Sequence, residues 1–134
     1  MRWIVTGSGG QLGRCLVSRL RADPRHELVR HASHAEIDIA DPAAVAGLFE
    51  GLAGAPGTGP VDVLANAAAF TAVDRCESEP ELAKRVNADG PRLLATRCRG
   101  AGVRMLHVST DYVFDGRSRR PYREEDATGP RTVY

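Results

Sequence analysis

Short apolar runs alternate along this chain with longer amphipathic stretches. Arg2 to Thr6 is an apolar run of strand length; a glycine cluster from Gly7 to Gly13 follows, and then Leu12, Leu16, Val17 and Leu20 fall on one helical stripe. Asp23-Pro24 ends that helix, because proline lacks the amide hydrogen that a continuing helix needs. A second strand is expected over Glu27 to Arg30, and a short extended piece over Glu36 to Ile39. Asp41-Pro42 reads as an N-cap and a first-turn proline, opening a helix buried along Val45, Leu48, Phe49 and Leu52. Val61 to Asn66 is the next strand. Pro80 to Arg99 is the longest helix, closed by Gly100 and Gly102, and Val103 to Ser109 is the strand after it. From Thr110 onward the chain turns polar and irregular.

Strands this short, alternating with amphipathic helices, predict an α/β fold: a doubly wound parallel sheet with helices on both faces. At 134 residues the chain holds one domain with a real core, residues 1–134, and has no room for a second lobe. Ala53 to Pro60 is the most linker-like stretch, with three glycines and two prolines, but eight residues suit a surface loop better than a domain boundary.

Composition then removes several function classes. The hydrophobic share of 43%, the charged share of 26% and a net charge of +1 are those of an ordinary soluble domain. Lys84 is the only lysine and the arginines are scattered, so a nucleic-acid surface is unsupported. Cys15, Cys76 and Cys98 lack metal-site spacing, as do the four histidines, so no metal is expected and a reduced, cytoplasmic setting fits. The apolar run at the N-terminus falls far short of a signal segment or a membrane span, so neither export nor anchoring is expected.

The glycine cluster carries the first specific chemistry. Gly7, Gly10 and Gly13 stand three residues apart where the first strand meets the first helix. Gly7 permits the tight turn, Gly10 lets backbone approach a pyrophosphate, and Gly13 lets helix and strand pack closely, while the helix N-terminus favours negative charge. The same spacing also serves a plain strand-to-helix connection, so its context, directly after a strand, is what points to a dinucleotide. An acid at the end of the second strand would bond the ribose 2'-hydroxyl of NADH. Here the strand ends Val29-Arg30-His31-Ala32-Ser33, with no acid. Arg30 and His31 would instead accept a 2'-phosphate, which favours NADPH and leaves NADH as the alternative.

Two longer strings add a family. With Asn66-Ala67-Ala68-Ala69-Phe70-Thr71-Ala72-Val73-Asp74 and Ser109-Thr110-Asp111-Tyr112-Val113-Phe114-Asp115-Gly116, the chain resembles the dTDP-4-dehydrorhamnose reductase family of nucleotide-sugar short-chain dehydrogenases/reductases. Asp38-Ile39-Ala40-Asp41, Val86-Asn87-Ala88 and Pro121-Tyr122 fit the same pattern. The resemblance implies an NAD(P)-binding Rossmann fold and reduction of a dTDP-4-keto-6-deoxy sugar in deoxysugar biosynthesis, and it is compatible with a homodimer of the full-length form. It implies that Gln11 and Leu12 join the three glycines at the cofactor, that Asp38 and Ile39 contact the adenine, and that Ala69, Phe70, Thr71 and Val108 close over the rest of it. Val73, Thr110 and Asp111, together with Thr71, would face the sugar. Thr110 would orient the ketone, and Tyr134 would protonate the nascent alkoxide, a task suited to a phenol whose reference pKa is about 10. Turn chemistry is the preferred reading of Asp74, Asp115 and Asp126.

The pattern also calls for a lysine four residues beyond the tyrosine, on the same helical face. The sequence stops at Tyr134. It therefore reads either as the N-terminal part of a longer protein or as a naturally shortened nucleotide-binding remnant, and residues 1–134 alone are expected to show no reductase activity. A non-catalytic nucleotide-binding module, such as a methionine adenosyltransferase regulatory subunit, remains the second reading. An epimerase or dehydratase fits the first long string less well.

Overall fold

The computed structural model describes residues 1–51 and 61–134. Four strands, β1 (Arg2–Thr6), β2 (Glu27–Ala32), β3 (Val63–Asn66) and β4 (Arg104–His107), form one parallel sheet in the order β2-β1-β3-β4. From β1 the chain crosses first to β2 and then back past β1 to β3, so the winding reverses between β1 and β3. In open sheets of this kind, ligands collect at the carboxyl ends of the strands flanking that reversal. Helix α1 (Gln11–Ala22) follows β1, and α2 (Pro42–Gly47) follows β2. After β3 come α3 (Val73–Ser78) and α4 (Pro80–Lys84), a π-helical turn (Arg85–Asp89) and α5 (Gly90–Ala101). None of the described helices is long and apolar enough to cross a membrane.

The two faces of the sheet are covered differently. On one, Val17 and Leu20 of α1 pack with Val5 and Ala65. On the other, Val45 and Leu48 from the α2 region join Leu94 and Cys98 of α5 over Ile4 and Leu64. Successive strand residues point to opposite faces, so Ile4 and Val5 serve separate cores and both are fully buried. At the edge of the described sheet, Leu106 of β4 is 52% exposed, while its neighbour Met105 packs toward α5.

Most boundaries follow the expected chemistry. Asp41 caps α2, its carboxylate accepting from the Ala43 amide at 2.9 Å, with Pro42 at the first helical position. Gly102 ends α5 in the left-handed region, at φ 67°. Gly100, expected to share that task, lies inside the helix. The strands expected at Val61 to Asn66 and Val103 to Ser109 are shorter than the apolar runs, since Val61 and Val103 are buried beside the sheet without joining its ladder. The segment Glu36 to Ile39 is not extended. Ser33 turns it: its carbonyl accepts from the Glu36 and Ile37 amides, and the Glu36 carboxylate takes the Ser33 amide at 2.6 Å and hydroxyl at 2.8 Å. This reciprocal serine–glutamate closure outweighs the alternation of Ile37 and Ile39. The expected loop at Ala53 to Pro60, and Leu52 before it, lie outside the described residues.

A bulge in β2 sets which side chains reach which face. Trp3 pairs with Leu28 but Ile4 with Arg30, which leaves Val29 as an extra residue. Leu28 therefore packs on the α1 side, yet Val29 and Ala32 pack on the α2 side. Past the bulge, His31 faces α1 and Arg30 faces α2.

Gly13 is where α1 meets the end of β1. A Cβ there would run into the Gly7 carbonyl, which is backbone and has nowhere to go. Gly13→Ala is accordingly expected to destabilise the domain by about 1–3 kcal/mol, the usual cost of overpacking. Urea unfolding followed by circular dichroism measures it; an unchanged midpoint would contradict the close approach.

Candidate functional site

The strand ends form a level row, with Ala32, Thr6, Asn66 and His107 paired in register across the sheet. Asn66, 1% exposed, ties three of these strands by its side chain. Its carbonyl oxygen accepts from the Thr6 hydroxyl at 2.6 Å and the Ala68 amide at 3.1 Å, and its amide nitrogen donates to His107 Nδ1 at 3.1 Å. The chain leaves β3 pinned against β1: a Cβ on Gly7, which has φ 73°, would strike the backbone of Ala67 and Ala68. Only glycine fits both the dihedral and the space.

Above this row open two neighbouring clefts. The larger, of about 830 Å³, is lined by Gly10, Gln11, Leu12, Ala69, Thr71, Asn87, Val108, Thr110 and Tyr134, among others. The smaller, of about 370 Å³, is lined by Gly9, Gly10, Ser33, His34, Asp38, Ile39 and Ala69. Gly10 and Ala69 line both. Most of the residues singled out in the sequence thus converge on one edge of the sheet. Leu12, expected on the buried stripe of α1, is 50% exposed and faces the larger cleft instead, as does Val108 at 48%.

The glycines divide their tasks. Gly7 and Gly13 are required by contact with protein backbone, but a Cβ on Gly10 would meet nothing closer than the Gly7 carbonyl at 3.4 Å. The Gly10 amide closes the turn onto that same carbonyl at 3.0 Å, and its Cα looks into open cleft. Packing within the chain does not require glycine here.

Asp38 and Ile39 occupy the wall of the smaller cleft. The Asp38 carboxylate accepts from the Ala40 amide at 2.9 Å and from the Arg85 guanidinium at 2.8 Å, which holds it in place. Ile39 is 4% exposed and supports the wall mainly from within the core. Arg30, expected beside the same cleft, is turned away. Its guanidinium donates to the carbonyls of Gly47 and Glu50 at the end of α2, a placement that follows from the bulge in β2.

Thr110 and Tyr134 both line the larger cleft, and Tyr134 meets Tyr112 edge to face at 5.4 Å. The Thr110 hydroxyl accepts from the Tyr112 amide at 3.2 Å, capping the short 3₁₀ turn Asp111–Val113. Val73 and Asp111 do not line either cleft; Val73 opens α3, and the Asp111 carboxylate accepts from the Thr110 hydroxyl at 3.3 Å. Asp115 and Asp126 organise the irregular segment beyond. The Tyr122 hydroxyl and Arg117 amide on Asp115, and the Arg120 guanidinium and Arg123 amide on Asp126, hold both carboxyls below the usual range. Asp74 lies in the first turn of α3, a helix that the apolar pattern did not announce.

Asn87 was not among the residues singled out for the site. It sits in the π-helical turn, and its side chain grips Phe70 on both sides: Oδ1 accepts from the Phe70 amide at 2.8 Å and Nδ2 donates to the Phe70 carbonyl at 2.9 Å. Phe70 itself lines neither cleft, so its contribution is this clamped backbone between Ala69 and Thr71, which do. The signal available in the sequence was only the Val86-Asn87-Ala88 string.

Reversal of winding, a glycine turn and clefts along one strand edge define a doubly wound α/β domain of the Rossmann kind. The chain belongs to the family described as the RmlD substrate binding domain, whose model matches residues 1–134. It is 49% identical over 133 residues to the dTDP-4-dehydrorhamnose reductase of Streptomyces griseus, covering 99% of this chain and 41% of that protein. Among solved structures, the dTDP-4-dehydrorhamnose reductase of Bacillus anthracis in complex with NADP superposes with a TM-score of 0.87 at 30% identity, over 99% of this chain and 44% of that one. The ortholog from Clostridium acetobutylicum gives 0.85 at 36%, over 100% and 45%. The chain thus spans about two fifths of the length of the curated relatives it matches.

The clamp on Phe70 yields a measurable expectation. Asn87→Ala leaves a backbone donor and acceptor without their partner, which should cost about 1–3 kcal/mol. Asn87→Asp keeps the acceptor for the Phe70 amide but sets a carboxylate oxygen against the Phe70 carbonyl, so it should also be less stable than the parent. Equal chemical stability of all three proteins in urea would show that the clamp contributes nothing.

Proposed function

We propose that residues 1–134 bind NADPH along the carboxyl edge of the sheet and form the cofactor-binding part of a reductase acting on a dTDP-4-keto-6-deoxy sugar. The observation that carries this reading is Gly10: a glycine that the protein's own packing does not require, at the start of a 12-residue helix and on the rim shared by two clefts. Backbone that close to open space at a helix N-terminus suits a pyrophosphate. In this reading Asp38 and Ile39 flank the adenine in the smaller cleft, and Gln11, Leu12, Ala69, Thr71 and Val108 border the remainder in the larger. Gly7 and Gly13 shape the turn, and Phe70 supplies backbone held by Asn87. The names of the relatives and the NADP complex of the Bacillus anthracis protein support the same assignment.

When bound, NADPH supplies a hydride to the sugar C4 ketone. Thr110, already on the wall of the larger cleft, orients the carbonyl through its hydroxyl, and the Tyr134 phenol delivers a proton to the oxygen. A phenol is protonated at neutral pH and loses its proton only to a strongly basic alkoxide, which is the species this reduction creates. Val73 and Asp111 line neither cleft, so their contact with the sugar would require α3 and the 3₁₀ turn to shift.

Two outcomes check this reading. Gly10→Val should abolish NADPH binding in a fluorescence titration while leaving the unfolding free energy within about 1 kcal/mol of the parent, since the added methyls enter the cleft and not the core. Undiminished affinity would remove the pyrophosphate from this turn. In the whole protein, NADPH oxidation with dTDP-4-keto-6-deoxyhexose should fall roughly 10²- to 10⁴-fold in Tyr134→Phe with little change in cofactor affinity. Retained turnover would remove the proton-donor role.

A further inference from the structure

A third depression, of about 570 Å³, lies on the α1 side of the β2 end and is lined by Ser8, Arg14, Ser18, Arg21 and His31. Its polar groups come from three separate elements: the glycine turn, α1 and β2. Arg21 meets His31 Nε2 at 2.9 Å, and His31 Nδ1 meets the Ser8 hydroxyl at 3.3 Å. With Nε2 accepting from Arg21, the ring donates from Nδ1, which leaves the Ser8 hydroxyl hydrogen free to donate outward. No carboxylate lines the depression, and Arg14 has no acidic partner among the described residues. Glu36, which interacts electrostatically with His31, has its carboxylate occupied by the amide and hydroxyl of Ser33. Two guanidinium groups and a hydroxyl, braced by His31, therefore face a space that no carboxylate lines.

That space adjoins the smaller cleft. The Ser8 amide donates to the Ala32 carbonyl at 3.0 Å, and a Cβ on Gly9 would lie 3.2 Å from that of Ser33. Ser8 and His31 thus stand on one side of the seam at which Gly9 and Ser33 line the other. A dinucleotide's adenine ribose lies at the end of the second strand in folds of this kind, so a substituent on its 2'-oxygen would emerge at this seam. Resting on the assignment of a dinucleotide to the two clefts, we propose that the ribose 2'-phosphate is held by Ser8 and Arg21, which His31 positions, with Arg14 at the rim. These residues, and not Arg30, then set the preference for NADPH over NADH. The bulge in β2 is what makes this arrangement, since it puts His31 on the α1 side and sends Arg30 to α2.

Titration calorimetry of the full chain with NADPH and with NADH tests the assignment, using Arg21→Ala, His31→Ala and Arg30→Ala. The parent should prefer NADPH. Arg21→Ala should weaken NADPH by about ten-fold or more, the size of a lost charge-assisted hydrogen bond, and His31→Ala by several-fold through the lost support of Arg21 and Ser8, each leaving NADH within about two-fold. Arg30→Ala should leave the ratio of the two affinities unchanged, whatever it does to stability. Adenosine 2',5'-bisphosphate against 5'-AMP should reproduce the same pattern without the nicotinamide half. A ratio that survives both Arg21→Ala and His31→Ala, or one that collapses in Arg30→Ala, overturns the assignment while the dinucleotide site stands. Failure of the parent to bind either dinucleotide overturns both.

Discussion

Asn66 carries an amide that is buried at the carboxyl end of β3, and a buried amide must find partners for its oxygen and its nitrogen or lose stability. It finds them in Thr6, Ala68 and His107, on the strands to either side and in the turn that follows. Those bonds stop β1, β3 and β4 at the same height, and the level edge is what makes continuous clefts geometrically available. Bonds of this kind in a low-dielectric interior polarise one another and tolerate little displacement. The turn carrying Ala67 and Ala68 is thereby placed so closely over Gly7 that no side chain fits at that position.

The same edge separates what folding needs from what a ligand needs. Gly7 and Gly13 are demanded by protein atoms, whereas Gly10 is demanded by none, although all three look alike in the sequence. The helix cores below depend on other groups altogether: burial raises the thiols of Cys76 and, to about 11, Cys98, so both behave as small apolar side chains. Hydrophobic packing therefore holds the layers together, a few backbone contacts shape the rim, and the rim's remaining openness is left for another molecule.

Periodicity made β1, α1 and the sheet's parallel winding legible, because each of those elements buries a face whose spacing is written in side-chain type. The convergence of Gly10, Asp38, Ala69 and Thr110 was legible too, through strings of residues. The direction of Arg30 was not. It depends on a backbone bulge at Val29, and nothing in the residue types of Glu27 to Ala32 distinguishes a bulged strand from a regular one. The turn at Ser33 was missed for a different reason: Ile37 and Ile39 imitate a strand, while the decisive contact is a single carboxylate three residues from a serine. Asn87 escaped because its task is to hold another residue's backbone, a role that has no periodicity.

The π-helical turn at Arg85–Asp89 joins α4 to α5 without a break. Such a turn stores one residue more than an α-helix would use over the same rise. It sweeps about the same angle with its five residues as an α-helix does with four, so losing a single residue here would regularise the helix, leave α4 and α5 in nearly the same phase, and displace the side chains of the turn itself. Asn87 would leave Phe70 and Arg85 would leave Asp38, though no apolar residue had been replaced. Length is therefore something this turn must inherit along with its asparagine: a codon lost there would release a wall of each cleft at once.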